Sequence, residues 1–194
     1  GVTLRQMITE HLFLWSNLAE ILDNRGSSQE LRELTAELIR NFAMDGNVNN
    51  EIGHIPMIIS RLMHAFLSQG ASSSAVSDQL LRMNAGQALA LLAMESVSNC
   101  LVMLAEPGYV FIKELTIMIH SGRYRCIASS LLQNMCVHAQ FELGDLDLKE
   151  ISYILREVSP ANIGYMCNIR GGYCNLLQAV IFTHASATIS FSYI

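Results

Sequence analysis

The sequence predicts an all-α fold in which one amphipathic helix occurs three times along the chain. The three stretches read LRELTAELIRNFA (31–43), LRMNAGQALALLA (81–93) and YRCIASSLLQNMC (124–136). Apolar and small residues recur in each at the spacing of one helix face. The residues that we expect to be buried are Leu31, Thr35, Ala36, Leu38, Ile39 and Phe42; Leu81, Ala85, Ala88, Leu89 and Leu92; and Tyr124, Ala128, Leu131, Leu132 and Met135.

The distance between the copies indicates a repeat protein. The second copy begins 50 residues after the first, and the third begins 43 residues after the second. A period of roughly 40–47 residues is typical of armadillo and HEAT arrays. The longer first spacing includes the loop SQGASSSAVSD (68–78), and insertions of this kind belong on solenoid loops.

The remaining elements complete one cycle of short segment, middle helix, tight turn and long helix. A helix over 3–23 should bury Leu14, Leu18, Ile21 and Leu22, and Ser28 should cap the first long helix. Short segments follow at 47–53 and 97–105. Pro56 fits the first turn of a second middle helix, where its missing N–H is tolerated. That helix should bury Ile58, Ile59, Leu62, Met63 and Phe66; the third middle helix carries Val110, Ile112, Leu115 and Ile119; and 145–158 repeats the same pattern.

The end of the chain fits this cycle less well. Residues 171–194 contain no charge; 173–183 could form one more long helix, while SATISFSYI (186–194) matches no repeat. This stretch reaches the length of about 20 residues that a membrane span needs. Its serines, Asn175, Gln178 and His184 argue instead for a buried terminal helix.

Composition restricts the function classes. Hydrophobic residues make up 51% and charged residues 15% of 194, with a mean hydropathy of +0.31, more apolar than an isolated domain. The chain also opens at Gly1 inside a helical pattern, so we expect a fragment of a longer array or a product that lacks one terminal cap. A net charge of −5 gives no basic face for nucleic acid.

The cysteines indicate a reducing compartment. Their number is odd and no CxxC pair occurs: Cys100, Cys126, Cys136, Cys167 and Cys174. No secretory signal opens the chain, so we expect an intracellular protein, cytoplasmic or nuclear.

Particular motifs resemble those of the armadillo family. LIRNFA (38–43) and LLQNMC (131–136) resemble the A-L-S-N-L-A run at the end of the family's third helix, and ALALLA (88–93) keeps the spacing with Leu91 in place of Asn. IPMII (55–59) resembles the start of its second helix, G-x-I-P-x-L. The amino-acid sequences of the repeats are most similar to those of plant armadillo-type proteins, and the resemblance covers roughly residues 14–158.

This resemblance implies a right-handed α-solenoid of about three repeats plus partial ends. The whole chain would form one array, divided as 1–44, 45–94, 95–138 and 139–194.

In that family the third helices line a groove in which Asn holds an extended peptide, because an amide both donates and accepts hydrogen bonds. The role transfers to Asn41 and Asn134; the alternative is that both are merely solvated polar residues. Nuclear-import members carry a Trp one turn earlier, where this chain has Glu37, Gln87 and Ser130, so their mode of recognition is not expected. The full set of groove candidates is Glu37, Arg40, Asn41, Gln87, Leu91, Ser130, Gln133 and Asn134, with Leu91 as an apolar patch and Arg40 paired to Glu37.

Other chemistry is not indicated. Trp15 in WSNLA (15–19) mimics the motif too close to Asn41 to belong to a repeat, and we expect it in the core. The histidines and Cys136-x-His138 do not supply the four ligands of a zinc site, and no nucleophile elbow, Walker loop or dinucleotide motif occurs. We therefore expect no metal, no cofactor and no enzymatic activity.

The sequence thus predicts a scaffold or adaptor that binds a protein or an extended peptide. Two alternatives stay open. The chain could be a substrate-binding or regulatory arm of a larger ubiquitin-ligase-like or membrane-associated protein, or it could be an enzyme, since function need not follow fold.

Overall fold

The computed structural model describes residues 4–24, 26–53, 55–67, 76–94, 96–108, 110–121 and 123–144, together with 147, 149 and 151. This part of the chain is all-α and contains no strand. Its helices are α1 (Leu4–Asp23), α2 (Gln29–Ala43), α3 (Gly46–Gly53), α4 (Pro56–Leu67), α5 (Val76–Ala93), α6 (Val97–Leu104), α7 (Phe111–Ser121) and α8 (Arg125–His138), followed by a short 3-10 turn, Gln140–Glu142.

The chain divides into two compact units, Gly1–Leu92 and Ala93–Ile194. In the first unit α1 packs against α2 and α4, and α3 packs against α2 and α4. In the second unit α6, α7 and α8 pack against one another. The predicted cycle of short, middle and long helix therefore occurs as α3–α4–α5 and again as α6–α7–α8.

Two of the long helices bury the predicted face in full. All five residues expected to be buried in the second copy, on α5, are buried. The five expected in the third copy are buried as well; four lie on α8 and the fifth, Tyr124, directly precedes it. On α2 the expectation is partly wrong, because Leu31 and Leu38 are exposed and Phe42 is only half-buried. The buried residues of this helix are Thr35, Ala36, Ile39 and Ala43. Thr35 satisfies its hydroxyl by donating to the Leu31 carbonyl over 2.7 Å.

The middle helices also follow the predicted pattern, with three exceptions. Trp15 is buried on α1 as expected, and its ring meets Phe42 of α2 edge-on, with centroids 5.4 Å apart. All five residues expected to be buried on α4 are buried. Leu14 of α1 is exposed, however, and Ile21 of the same helix is only half-buried. Val110 is exposed and precedes the first residue of α7.

Helix boundaries agree closely with the local sequence signals. Ser28 caps α2 by accepting a hydrogen bond from the Leu31 N–H, and Pro56 is the first residue of α4. The expected loop is shorter than predicted, because Val76 to Asp78 already belong to α5. The predicted helix over 145–158 lies largely outside the described residues, and the predictions for 171–194 lie wholly outside them.

An arginine occupies the equivalent position in each copy of the long helix. Arg32, Arg82 and Arg125 stand 50 and 43 residues apart, which are the spacings of the predicted copies. Each donates its Nε–H to a carbonyl near the end of the preceding middle helix, at 2.9 Å (Leu22), 3.0 Å (Phe66) and 2.9 Å (Ile119). A helix end leaves carbonyls without intrahelical partners, and a cation there also faces the negative end of the helix dipole. We call this contact the arginine clamp.

The short helices α3 and α6 contact backbone carbonyls of the long helices in a repeated way. Asn49 of α3 donates its amide to the carbonyls of Ala43 (3.2 Å) and Leu91 (2.8 Å). Cys100 of α6 places its thiol 3.5 Å from the Ala93 carbonyl and 3.8 Å from the Asn134 carbonyl. The acceptors Ala93 and Asn134 follow Ala43 and Leu91 by the same 50 and 43 residues. A carboxamide in one copy and a thiol in the next therefore make equivalent contacts.

Candidate partner-binding surface

A cluster of polar side chains joins α2 to α5 within the first unit. Arg40 lies at its centre, with Glu37 and Asn41 on the same helix and Asn84 and Gln87 on α5. We call these five residues the Arg40 cluster. The Nη1 atom of Arg40 donates to Asn84 Oδ1 at 2.7 Å and to Gln87 Oε1 at 3.1 Å. The Nη2 atom of Arg40 donates to Glu37 Oε1 at 3.4 Å and to Asn41 Oδ1 at 3.2 Å.

The geometry of Arg40 fixes which way the amides point. A guanidinium has five N–H donors and no acceptor, so it can only hold the oxygen end of an amide. The oxygens of Asn41 and Gln87 therefore face Arg40, and their NH₂ groups turn away from it. Because Asn41 is exposed and Gln87 half-buried, these NH₂ groups are available as donors to an acceptor outside the cluster. The fifth donor, Arg40 Nε, is buried and has no partner among the described residues.

The cluster carries little net charge. The Arg40 and Glu37 side chains are 23% and 44% exposed, and ion pairs this accessible contribute about 0–1 kcal/mol. The charge-assisted hydrogen bonds to the amides are each worth more, about 1.5–3 kcal/mol. The cluster is therefore a surface of oriented amides rather than a charged site.

The structure brings together four of the predicted groove residues, Glu37, Arg40, Asn41 and Gln87. The predicted pairing of Arg40 with Glu37 is confirmed. The expectation for Leu91 is wrong, since its side chain is buried and offers no apolar patch to a ligand. Leu91 instead takes part through its backbone carbonyl, which accepts from Asn49.

Sequence reasoning missed Asn84. It is a buried amide on an otherwise small and apolar face of α5, one turn before Gln87. A polar residue at a core position needs a hydrogen-bond partner, and that requirement was the signal available in the sequence.

The other candidates, Ser130, Gln133 and Asn134, lie on α8 in the second unit. All three are half-buried, and the i, i+3, i+4 spacing places them on one face. Their continuity with the Arg40 cluster stays a prediction. The neighbouring Ser129 is buried, and its hydroxyl has no partner within the described residues.

A separate cleft of about 450 Å³ lies between α1 and α4 in the first unit. It is lined by Ser16, Glu20, Asp23, Asn24, Met57 and Arg61. Arg61, the cation of the cleft, forms an ion pair with Asp23 at 3.1 Å, and Asp23 is one of the two carboxylates in the lining. None of these lining residues is a histidine or a cysteine.

The buried thiols are poor nucleophiles. Burial raises the pKa of Cys100 and of Cys136 from 9.0 to about 12, so that both are protonated at neutral pH. Among the described residues, no three His, Cys, Asp or Glu side chains gather closely enough to hold a metal ion. None of the helices in this part of the chain combines the length and apolar character that a membrane span requires.

No protein-family model, curated protein or solved structure matches the chain. The resemblance to armadillo proteins therefore stays a prediction from the motifs at 38–43, 55–59, 88–93 and 131–136.

Proposed function

We propose that the protein is a non-enzymatic interaction scaffold that binds an extended segment of a protein partner across the Arg40 cluster. Its fold would be a right-handed, armadillo-type α-solenoid. The arginine clamps and the ties from Asn49 and Cys100 support a repeated architecture, because the same contacts recur at the same spacings.

The observation that carries the proposal is the orientation of the amides by Arg40. Asn41 and Gln87 are held by their oxygens, and their NH₂ groups are directed away from Arg40. Extended peptides present main-chain carbonyls that need such donors. Because Arg40 and Glu37 offset each other, binding should depend on backbone hydrogen bonds and only weakly on salt.

A selection from a random peptide library displayed on phage would supply ligands for the test. Their affinities are then measured by isothermal titration calorimetry on the wild-type chain and on Asn41→Ala. We expect Asn41→Ala to weaken binding about fivefold, since one hydrogen bond contributes about 1 kcal/mol. Asn17→Ala is the matched control, because Asn17 is an exposed asparagine on α1.

Equal affinities of Asn41→Ala and wild type would refute the proposal, as would an equal loss in Asn17→Ala. The double variant Asn41→Ala, Asn134→Ala tests the predicted continuation on α8. If Asn134 belongs to the same groove, the double variant should bind more weakly than Asn41→Ala alone.

Arg40→Lys tests the positioning role of the guanidinium. A lysine keeps the charge but has only three donors on one nitrogen, so it cannot hold four oxygens in a plane. We expect the amides to rotate and the affinity to fall. The free energy of unfolding should fall as well, because the buried amide of Asn84 loses a charge-assisted hydrogen bond, so the affinities are compared under conditions in which circular dichroism shows both proteins folded.

A further inference from the structure

Three leucines form an exposed stripe along α2. Leu31, Leu34 and Leu38 follow the i, i+3, i+7 spacing of one helix face and are 40% to 55% exposed. Buried residues of the same helix, such as Ile39, lie on a different face. The stripe is therefore an apolar surface outside the core that the described residues form.

The other two copies show what such a face normally does. The residues equivalent to the leucine stripe are Leu81, Asn84 and Ala88 on α5, and Tyr124, Ile127 and Leu131 on α8. All six are at most 6% exposed. On α5 a neighbouring long helix covers this position, since Asn84, the counterpart of Leu34, accepts a hydrogen bond from Arg40 of α2. The stripe on α2 is thus the one copy of a helix-packing face that stays uncovered in the described structure.

An acidic row runs beside the leucines. Glu30, Glu33 and Glu37 each precede one leucine and share its spacing, so the segment reads ELRELTAEL. Arg40 pairs with Glu37 of this row, but Arg32 donates to the Leu22 carbonyl and to Gln29, so the arginines of α2 leave the charges of Glu30 and Glu33 in place. Arg40 of α2 donates a hydrogen bond to Gln87 of α5, and Gln87 is the counterpart of Glu37. A helix packed in the same way on α2 would bring a basic side chain to Glu37.

We propose that this face, Leu31, Leu34 and Leu38 with Glu30, Glu33 and Glu37, docks an amphipathic helix from a partner protein whose apolar stripe is flanked by lysine or arginine. Helices commonly recognise a groove or face through apolar anchors at i, i+3, i+4 and i+7. The inference does not depend on the proposed binding of an extended peptide, because it rests on the exposed leucines of α2, and Glu37 is the residue that the two surfaces share.

A second copy of the chain is a poorer occupant. Pairing α2 with α2 of another molecule antiparallel would place two acidic rows against each other, and like charges at an interface are costly. The chain has 12 lysines and arginines against 17 acidic residues, and no segment of it pairs an apolar stripe with a row of basic residues. Charge complementarity therefore favours a basic partner.

The test uses a synthetic helical peptide of about 18 residues, or five turns, with a leucine stripe flanked by lysines. A matched peptide has glutamate at every lysine position. Both carry a fluorophore, and binding to the full chain is followed by fluorescence anisotropy. We expect saturable binding of the basic peptide, weaker binding at high salt, and little binding of the acidic peptide.

Three variants locate the site. Leu34→Gln should weaken the basic peptide about tenfold, because burying one leucine is worth at least that factor. Glu30→Lys with Glu33→Lys should weaken it by a similar or larger factor. Glu114→Lys with Glu142→Lys is the control with the same change in net charge, placed in the second unit, and should leave the affinity nearly unchanged. Leu34 is exposed, so Leu34→Gln should fold, as circular dichroism would check.

Equal binding of the two peptides would overturn the proposal, and so would an unchanged affinity of Leu34→Gln or an equal loss in the control pair. Sedimentation of the wild type supplies a further readout. A dimer that Leu34→Gln dissociates would identify a second copy as the occupant and would also overturn it. Loss of the extended-peptide site in Asn41→Ala would leave all of these results unaffected.

Discussion

Replacing Arg125 by methionine would test whether the arginine clamp stabilises the helical repeats. The guanidinium Nε of Arg125 donates to the Ile119 carbonyl over 2.9 Å, and no other hydrogen bond of this side chain is present within the described residues. Methionine keeps an unbranched apolar stem of similar reach but removes the charge and the donor. The carbonyl at the end of α7 would then lose its partner.

The size of the effect follows from two contributions. A hydrogen bond from a charged donor is worth about 1.5–3 kcal/mol net. The favourable interaction of a cation with a helix C-terminus adds about 0.3–1 kcal/mol. Arg125 is half-buried, so solvent weakens both contributions, and we expect Arg125→Met to lower the free energy of unfolding by about 2 kcal/mol. Arg125→Lys should lose less, because it keeps the charge near the helix end.

Urea denaturation followed by far-ultraviolet circular dichroism measures this loss. Arg123→Met is the control, since Arg123 is exposed two residues earlier in the same turn and the substitution removes the same charge. We expect the control to change the free energy of unfolding by less than about 0.5 kcal/mol. Equal losses in the two variants would show that the clamp contributes nothing beyond general electrostatics.

Three further predictions concern other described contacts. The thiols of Cys100 and Cys136 should not affect the free energy of unfolding below about pH 9. As the pH rises from 9 towards 12, it should fall by up to about 1.4 kcal/mol per pH unit for each thiol, because the unfolded chain loses these protons first. Urea titrations at pH 8 to 11 should show a smaller fall in the double variant Cys100→Ala, Cys136→Ala. Asn49→Ala removes two hydrogen bonds to carbonyls and should cost about 1–3 kcal/mol, measured by the urea dependence of the fluorescence of Trp15, the single tryptophan; an unchanged midpoint would contradict the tie. Phe42→Ala should change the emission of Trp15 in the native state and cost about 2 kcal/mol, because it removes the edge-on ring and leaves a gap beside the indole; an unaltered native spectrum would mean that the two rings are not in contact.

Helix positions and most of the core could be predicted because both depend on local patterns. The spacing of apolar residues is set by the 3.6-residue turn, so the faces of α5 and α8 were identified correctly. The same spacing cannot tell whether a face is covered. Leu31 and Leu38 fit the pattern as well as Leu81 does, but their exposure depends on what packs beside α2.

The polar contacts were less predictable because they connect residues far apart in the sequence. Arg40 and Gln87 are 47 positions apart, and neither helix alone reveals that the guanidinium reaches across. The alignment of Leu91 with Asn41 predicts a groove position, but an apolar side chain there is more stable when buried, and Leu91 is buried. The arginine clamp was detectable in principle, since Arg32, Arg82 and Arg125 keep the period of the helices.

The arginine clamp also keeps the same contact between a middle helix and the following long helix, whatever the number of residues that separates the two partners. The clamped carbonyl and its arginine are 6 residues apart at Ile119 and Arg125, 10 at Leu22 and Arg32, and 16 at Phe66 and Arg82, yet the contact distance is the same within 0.1 Å. Lengthening a flexible connection costs little, about 0.6 kcal/mol per doubling. The separation is largest between Phe66 and Arg82, so an epitope tag or a fluorescent reporter inserted between α4 and α5 should leave the arginine clamp in place.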